Sequence, residues 1–155
     1  MATDTTALAK TAVIEALEKL RGDVENLAEA LTEAEFWSKP LDPGNSVGHL
    51  ILHLSGNLNH FVGGQLGGSG YVRDREREFT ETRLPSKAEA LRTLEDALAT
   101  FRKVVSALRA AQLAEPHPEA RFGCVMSALT HLLAHFALHR GQMSYIVRLV
   151  KKDSV

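Results

Sequence analysis

Apolar residues recur at spacings of three and four along four long segments of this chain, and no stretch gives a convincing strand alternation. The first segment runs from Thr5 to about Leu31, with Leu8, Val13, Ile14, Leu17, Leu20, Val24, Leu27 and Leu31 as its stripe; Gly22 is a kink or a tolerated helical glycine. Asn45 or Ser46 caps a second helix to about Val62, striped by Leu50, Leu54, Leu58 and Phe61. Ser86 opens a third, with Glu89 at the capping-box position, and Leu91, Leu94, Leu98, Phe101, Val105 and Leu108 carry it to about Ala111. A fourth runs from about Cys124 to Val150 through Val125, Leu129, Leu132, Phe136, Met143, Ile146 and Val150. It closes on a basic pair, which suits a helix C-terminus.

Four amphipathic helices bury their stripes most simply against one another. The predicted fold is therefore all-α: a four-helix bundle of one domain, residues 1–155, with a long connection between the second and third helices. That connection, Gly63 to Pro85, is long enough to be functional or to cover an opening. Phe36 and Trp37 are expected to pin the proline-containing loop before the second helix to the core.

The bulk numbers narrow the function classes. The chain has 155 residues, 45% of them hydrophobic and 24% charged, as in a soluble globular domain. A net charge of −1 argues against a general nucleic-acid binder. No apolar run is long enough to span a bilayer, and the N-terminus lacks the pattern of a signal peptide. The single cysteine, Cys124, excludes an internal disulfide and suits a cytoplasmic location. It also excludes a cysteine-rich zinc site, so any bound metal takes mostly nitrogen and oxygen ligands.

Six of the seven histidines fall on two helices: His49, His53 and His60 on the second, His131, His135 and His139 on the fourth. At about 100° per residue, His139 lies about 35° from the centre of its apolar stripe, His135 about 75° and His131 about 115°. His139 is thus expected inside the core stripe and His131 nearest the bundle edge. On the second helix the stripe centres about 95° from His53, and the three histidines form a narrow band beside it. His117, in a proline loop, reads as exposed.

Two readings fit this pattern. Histidines at i and i+4 share a helical face and can bind one ion, and a third imidazole from a facing helix leaves positions open for water or substrate. Imidazole suits zinc, nickel, iron or copper better than magnesium or calcium. Alternatively these are core histidines, each of which must stay neutral and find hydrogen-bond partners.

The stretches "GNSVGHLILHLSGNLNHF" and "HLLAHFALHRGQMSYIVRLV" resemble the DinB-like superfamily of metal-binding four-helix bundles, and the H-x-x-x-H-R-G-Q ending is the most specific part. The charged "YVRDREREF" is similar to a loop of one branch, and the resemblance extends from about Phe36 to Val150. It implies a metal triad of His53, His135 and His139 holding a divalent transition metal, zinc or nickel foremost and iron next. His49 and His131, one turn before proposed ligands, become supporting or pocket-lining residues. Gln142 and Asn57 either hydrogen-bond a ligand ring or simply pack. Gly141 is expected to permit close helix contact, and Arg140 to point away from the metal face.

The resemblance also implies chemistry. Members of the superfamily include transferases that use bacillithiol or mycothiol, so the expected activity is a thiol S-transferase with a small-molecule thiol and an electrophile as partners. A coordinated thiol is readily deprotonated, and Cys124 is then not needed. The alternatives are a non-enzymatic metal-binding stress-response protein and a metal-dependent hydrolase using metal-bound water. Homodimers are common in the superfamily, so a homodimer is expected. Arg73, Arg75 and Arg77 either clamp a substrate carboxylate or belong to a solvated charge run with internal Arg–Glu pairs. Glutamate and aspartate are absent from the histidine faces, which leaves a zincin-like glutamate base unsupported.

Overall fold

The computed structural model describes residues 4–152; the first three residues of the N-terminus read for a signal pattern, and the last three of the chain, lie outside them. Four long helices dominate: α1 (Thr5–Glu29), α3 (Val47–Leu58), α5 (Lys87–Ala107) and α7 (Val125–Lys152). Three short ones decorate the connections: α2 (Glu33–Trp37), α4 (Arg77–Thr80) and α6 (Ala110–Ala114). None of the described helices is long and apolar enough to cross a membrane.

The stripes read from the sequence are the core. Every stripe residue of α3 and α7 is buried, as are Leu94, Leu98, Phe101 and Val105 of α5. Each such side chain contributes about 1.5–3 kcal/mol when fully buried. Along the first stripe Val13, Leu17, Val24 and Leu31 are buried, Ile14, Leu20 and Leu27 pack half-buried against the core, and Leu8 is 59% exposed, so the stripe begins a turn late. α1 runs unbroken through Gly22. Ser46, not Asn45, caps α3 by accepting from the His49 amide. Ser86 and Glu89 form the expected capping box of α5. That helix stops at Ala107, short of the predicted Ala111; Lys10 Nζ donates to the carbonyls of Ser106 and Leu108, and the chain turns into α6.

Helix directions follow from what the ends touch. Lys87, at the start of α5, donates to Ala28 and Leu31 at the end of α1, while Lys10 meets the end of α5, so α1 and α5 are antiparallel. Arg140 pairs with Asp23, and Lys151 pairs with Glu35 just beyond α1, so α7 runs parallel to α1. Gly63 packs on Thr100 and Gly67 on Val104, which sets α3 parallel to α5. Around the bundle the packing order is α1, α7, α3, α5. Two neighbouring helices that run the same way cannot be joined by a short turn. The connection from Gln65 to Ser86 has to return along α5, which at 1.5 Å per residue over 21 residues is about 31 Å long. That return leg carries Arg73 to Glu78 across the bundle.

α3 ends in a π-helical turn, Asn59–Gly64, with Gln65 N donating to His60 O at 3.0 Å and Gly67 N to Val62 O at 2.8 Å. At its other end the expected pin is present. Phe36 is fully buried, and Trp37 lies against the helix at Gly48, where a Cβ would collide with the indole. Gly141 behaves oppositely. It is exposed, and a Cβ there meets nothing, so it does not serve the close helix contact expected of it.

The two glycines predict opposite signs. Gly48→Ala overpacks the Trp37 contact and destabilises by about 1–3 kcal/mol. Gly141→Ala removes a helix-interior glycine in open space and stabilises by about 0.5–1 kcal/mol. Urea unfolding of both variants checks the pair.

Candidate metal centre

His53 projects from the middle of α3, and His135 and His139 project from successive turns of α7. Their ligand atoms all lie within 4.8 Å of one another. His135 Nε2 is 3.3 Å from His53 Nε2 and 3.0 Å from His139 Nε2. His53 is buried, whereas His135 and His139 are half-buried. His139 therefore stands at the rim with His135, lining the pocket, not inside the core stripe.

The outer nitrogens of two rings are fixed. His53 Nδ1 is 2.9 Å from Glu78 Oε2; a carboxylate only accepts, so Nδ1 carries the proton and Nε2 is left as a lone pair. Gln142 Oε1 accepts from His139 Nδ1 at 2.7 Å, with the same consequence. Two lone pairs then face His135 Nε2, and a single N–H there serves them poorly. A cation satisfies all three nitrogens at once. Two imidazoles bound tetrahedrally to one ion at about 2.1 Å place their nitrogens about 3.4 Å apart. The donor set, and the spacing of His53 and His139 from His135, thus suit a divalent transition ion.

Glu78 brings to His53 a carboxylate that the histidine faces themselves do not carry. It comes from the long connection, not from either helix. Arg73 grips it with two bonds, Nε to Oε1 at 2.7 Å and Nη2 to Oε2 at 2.8 Å, and both side chains are over 90% buried. The Arg–Glu pair anticipated in a solvated charge run is real but interior. Burial pushes the Glu78 carboxyl up, yet the bonds from Arg73 and His53 outweigh it and hold the pKa below the ordinary value. Gly56, one turn above His53, makes the seat, since a Cβ would strike the Glu78 carboxylate. A glycine inside an otherwise apolar helix was the sequence signal for this, but its partner lay outside the helical pattern. Phe79 lies against the His53 ring at 4.8 Å between centroids.

The other named residues divide. Asn57 Nδ2 approaches His53 Nε2 at 3.4 Å. His131 is exposed and stacks near His135 at 6.3 Å, lining the pocket. His49 is buried but elsewhere, with Nδ1 2.6 Å from Ser46 Oγ and its ring on Trp37. His117 is buried, contrary to the exposed reading. Its Nε2 donates to Phe61 O at 3.2 Å and its Nδ1 accepts from the Glu119 amide, which ties the proline loop to the end of α3. Arg140 points away to Asp23, as expected.

Over the triad lies a pocket of about 380 Å³ with a strongly cationic wall. Arg121 stacks on Phe122 at 4.7 Å, and Arg75 on Phe79 at 5.6 Å; both face this pocket along with Arg73 and His131. Burial, then the neighbouring His139, His53, His131 and Arg73, lowers the His135 pKa from 6.5 to about 3. Burial also lowers His139. Neutral imidazoles are the metal-binding form.

A depressed histidine pKa has a fixed sign in stability. Below 6.5 the unfolded chain takes up a proton that folded His135 refuses until about pH 3, so stability present above pH 6.5 is lost as pH falls through that window. In chelator-treated protein the urea midpoint drops between pH 7 and pH 5, and His135→Asn flattens that slope.

Comparisons with known proteins agree with this architecture. A family described as a protein of unknown function, DUF1572, matches residues 5–155. No curated protein matches. Among solved structures, a conserved protein from Enterococcus faecalis superposes with a TM-score of 0.75 at 17% identity, covering 92% of this chain and 96% of that one. YfiT from Bacillus subtilis, described as a probable metal-dependent hydrolase with an unusual four-helix bundle topology, gives 0.71 at 17% identity, covering 90% and 86%. With the family match spanning nearly its whole length, this chain belongs to the DUF1572 family, within the DinB-like superfamily.

Proposed function

We propose that this protein is a metal-dependent enzyme in which His53, His135 and His139 hold one divalent transition ion, zinc or nickel foremost, and that it activates a low-molecular-weight thiol for transfer to an electrophile. The observation that carries this reading is the convergence of three imidazole nitrogens, two with their protons fixed on the far side, at the floor of a pocket open to solvent. Three protein ligands leave room for a small molecule, the pattern of catalytic rather than structural sites. A bound divalent ion supplies Lewis acidity, which lowers the pKa of a thiol or a water beside it.

The chain's own residues supply the rest. Glu78 and Gln142 keep the protons of His53 and His139 away from the pocket and fix both ring planes. Arg75 and Arg121 present positive charge at the wall, which suits the carboxylates of a small thiol. Glu78 is saturated by Arg73 and His53, so it is a positioning residue and not a general base.

A hydrolase is the second reading, favoured by the likeness of fold to YfiT, itself described as a probable metal-dependent hydrolase. A panel of thiols with a generic electrophile, run beside a panel of esters and amides, separates the two. Turnover only of the second panel overturns the thiol reading.

The metal site itself is tested first. Elemental analysis of purified protein should give about one divalent ion per chain, and His139→Ala should lose it; equal metal content in both removes the triad. Glu78→Gln and Gly56→Ala both loosen the hold on His53 and are expected to weaken metal affinity about 10–100-fold with the fold retained. Competition with a chromogenic chelator measures it.

A further inference from the structure

Beside the triad pocket, on the same face of α7, lies a second and larger concavity of about 610 Å³, within the size range of small-molecule sites. Its walls are mostly carbon: Leu41 and Pro40 from the α2–α3 connection, Leu50 from α3, and Leu138, Tyr145 and Ile146 from α7. Three of these are unusually exposed for their type, Leu41 at 54%, Leu138 at 59% and Tyr145 at 59%. Asn45, Leu138 and Gln142 line this groove and the triad pocket alike, so the groove adjoins the pocket. Gln142 is also the residue bonded to His139, so whatever fills the groove abuts the triad.

Along α7 the order is therefore polar to apolar. His131, with Arg121 beside it, stands at one end, His135 and His139 in the middle, and Tyr145 at the other, a span of about 21 Å at 1.5 Å per residue. A molecule with charge at both ends does not suit this track. A second copy of the chain would cover the groove, but nothing about a protein surface requires the groove to run into the histidines. We propose that the groove is the subsite for the uncharged alkyl or aryl body of the electrophile, whose reactive carbon is thereby held over the triad while the anionic thiol occupies the arginine end. This deepens the thiol-transfer reading and rests on it for the word electrophile; the apolar subsite itself is tested without turnover.

The probe is a series of neutral n-alcohols, butanol, hexanol and octanol, titrated calorimetrically into the protein as purified. Affinity should rise about fourfold per added methylene. The double variant L41E/Y145E, which leaves the triad and its bonded partners untouched, should keep its metal content and lose octanol binding at least tenfold. Affinity flat along the series, or octanol binding unchanged in the variant with metal retained, overturns the proposal. A dimer of the parent protein that the variant dissociates, with no octanol binding to either, also overturns it and gives the groove to a second copy. The alcohols carry no electrophile, so a failed thiol panel leaves this result standing, and a failed alcohol series beside an active thiol panel condemns only the subsite.

Discussion

The buried contact among Arg73, Glu78 and His53 ties the site to the fold. A carboxylate taken out of water is expensive, and an ion pair of this kind adds little net stability. What it provides is placement. Arg73 occupies both oxygens, the remaining acceptor capacity goes to His53, and the imidazole is left with one available nitrogen and one orientation. Gly56 completes the arrangement by omission, since any side chain there would occupy the space of the carboxylate. Those residues come from the long connection and from α3, and the docked connection is what fixes the orientation of His53.

The docking follows from topology. Because α3 and α5 are neighbours that run the same way, their connection must travel the length of the bundle instead of turning back at its end. A connection that long has to pass over something, and here it passes over the His53 side of α3. The same route places Phe79 on His53 and Arg75 on Phe79, so the positive wall of the pocket and the support of the buried histidine belong to one segment. The aromatic platforms matter because a guanidinium stacked on a ring keeps its N–H edge free for an anion.

The chemistry of the site is one of contrast. Burial disfavours the charged forms of His135 and His139, and a cationic wall stands beside them. That combination repels protons from the nitrogens and attracts anions to the pocket. Glu78, the acidic group that reaches the triad, is fully committed to its partners, which leaves the reacting groups to come from bound molecules.

Much of this was legible in the sequence, and the limit is instructive. The stripes of α3 and α7 needed only the 3.6-residue period, since burial on a helix is decided locally; the same arithmetic put a band of histidines beside each stripe and set His131 at the edge, while the choice of His53, His135 and His139 came from the family resemblance. Ser86 and Glu89 declared a helix start because capping is a four-residue affair. Tertiary structure decided what depends on distant partners. Period alone placed His139 in the core, yet the neighbouring helix leaves it at the rim. His117 looked exposed among prolines and is buried because Phe61 and Phe122 close over it. The acidic partner of His53 sat in an irregular charged stretch whose path no periodicity encodes. The sequence by itself determined four helices, their buried faces and the two bands of histidine that can meet. Only the tertiary structure decided that α3 and α5 run parallel, and hence that the loop between them must cross the bundle and bring Glu78 to His53.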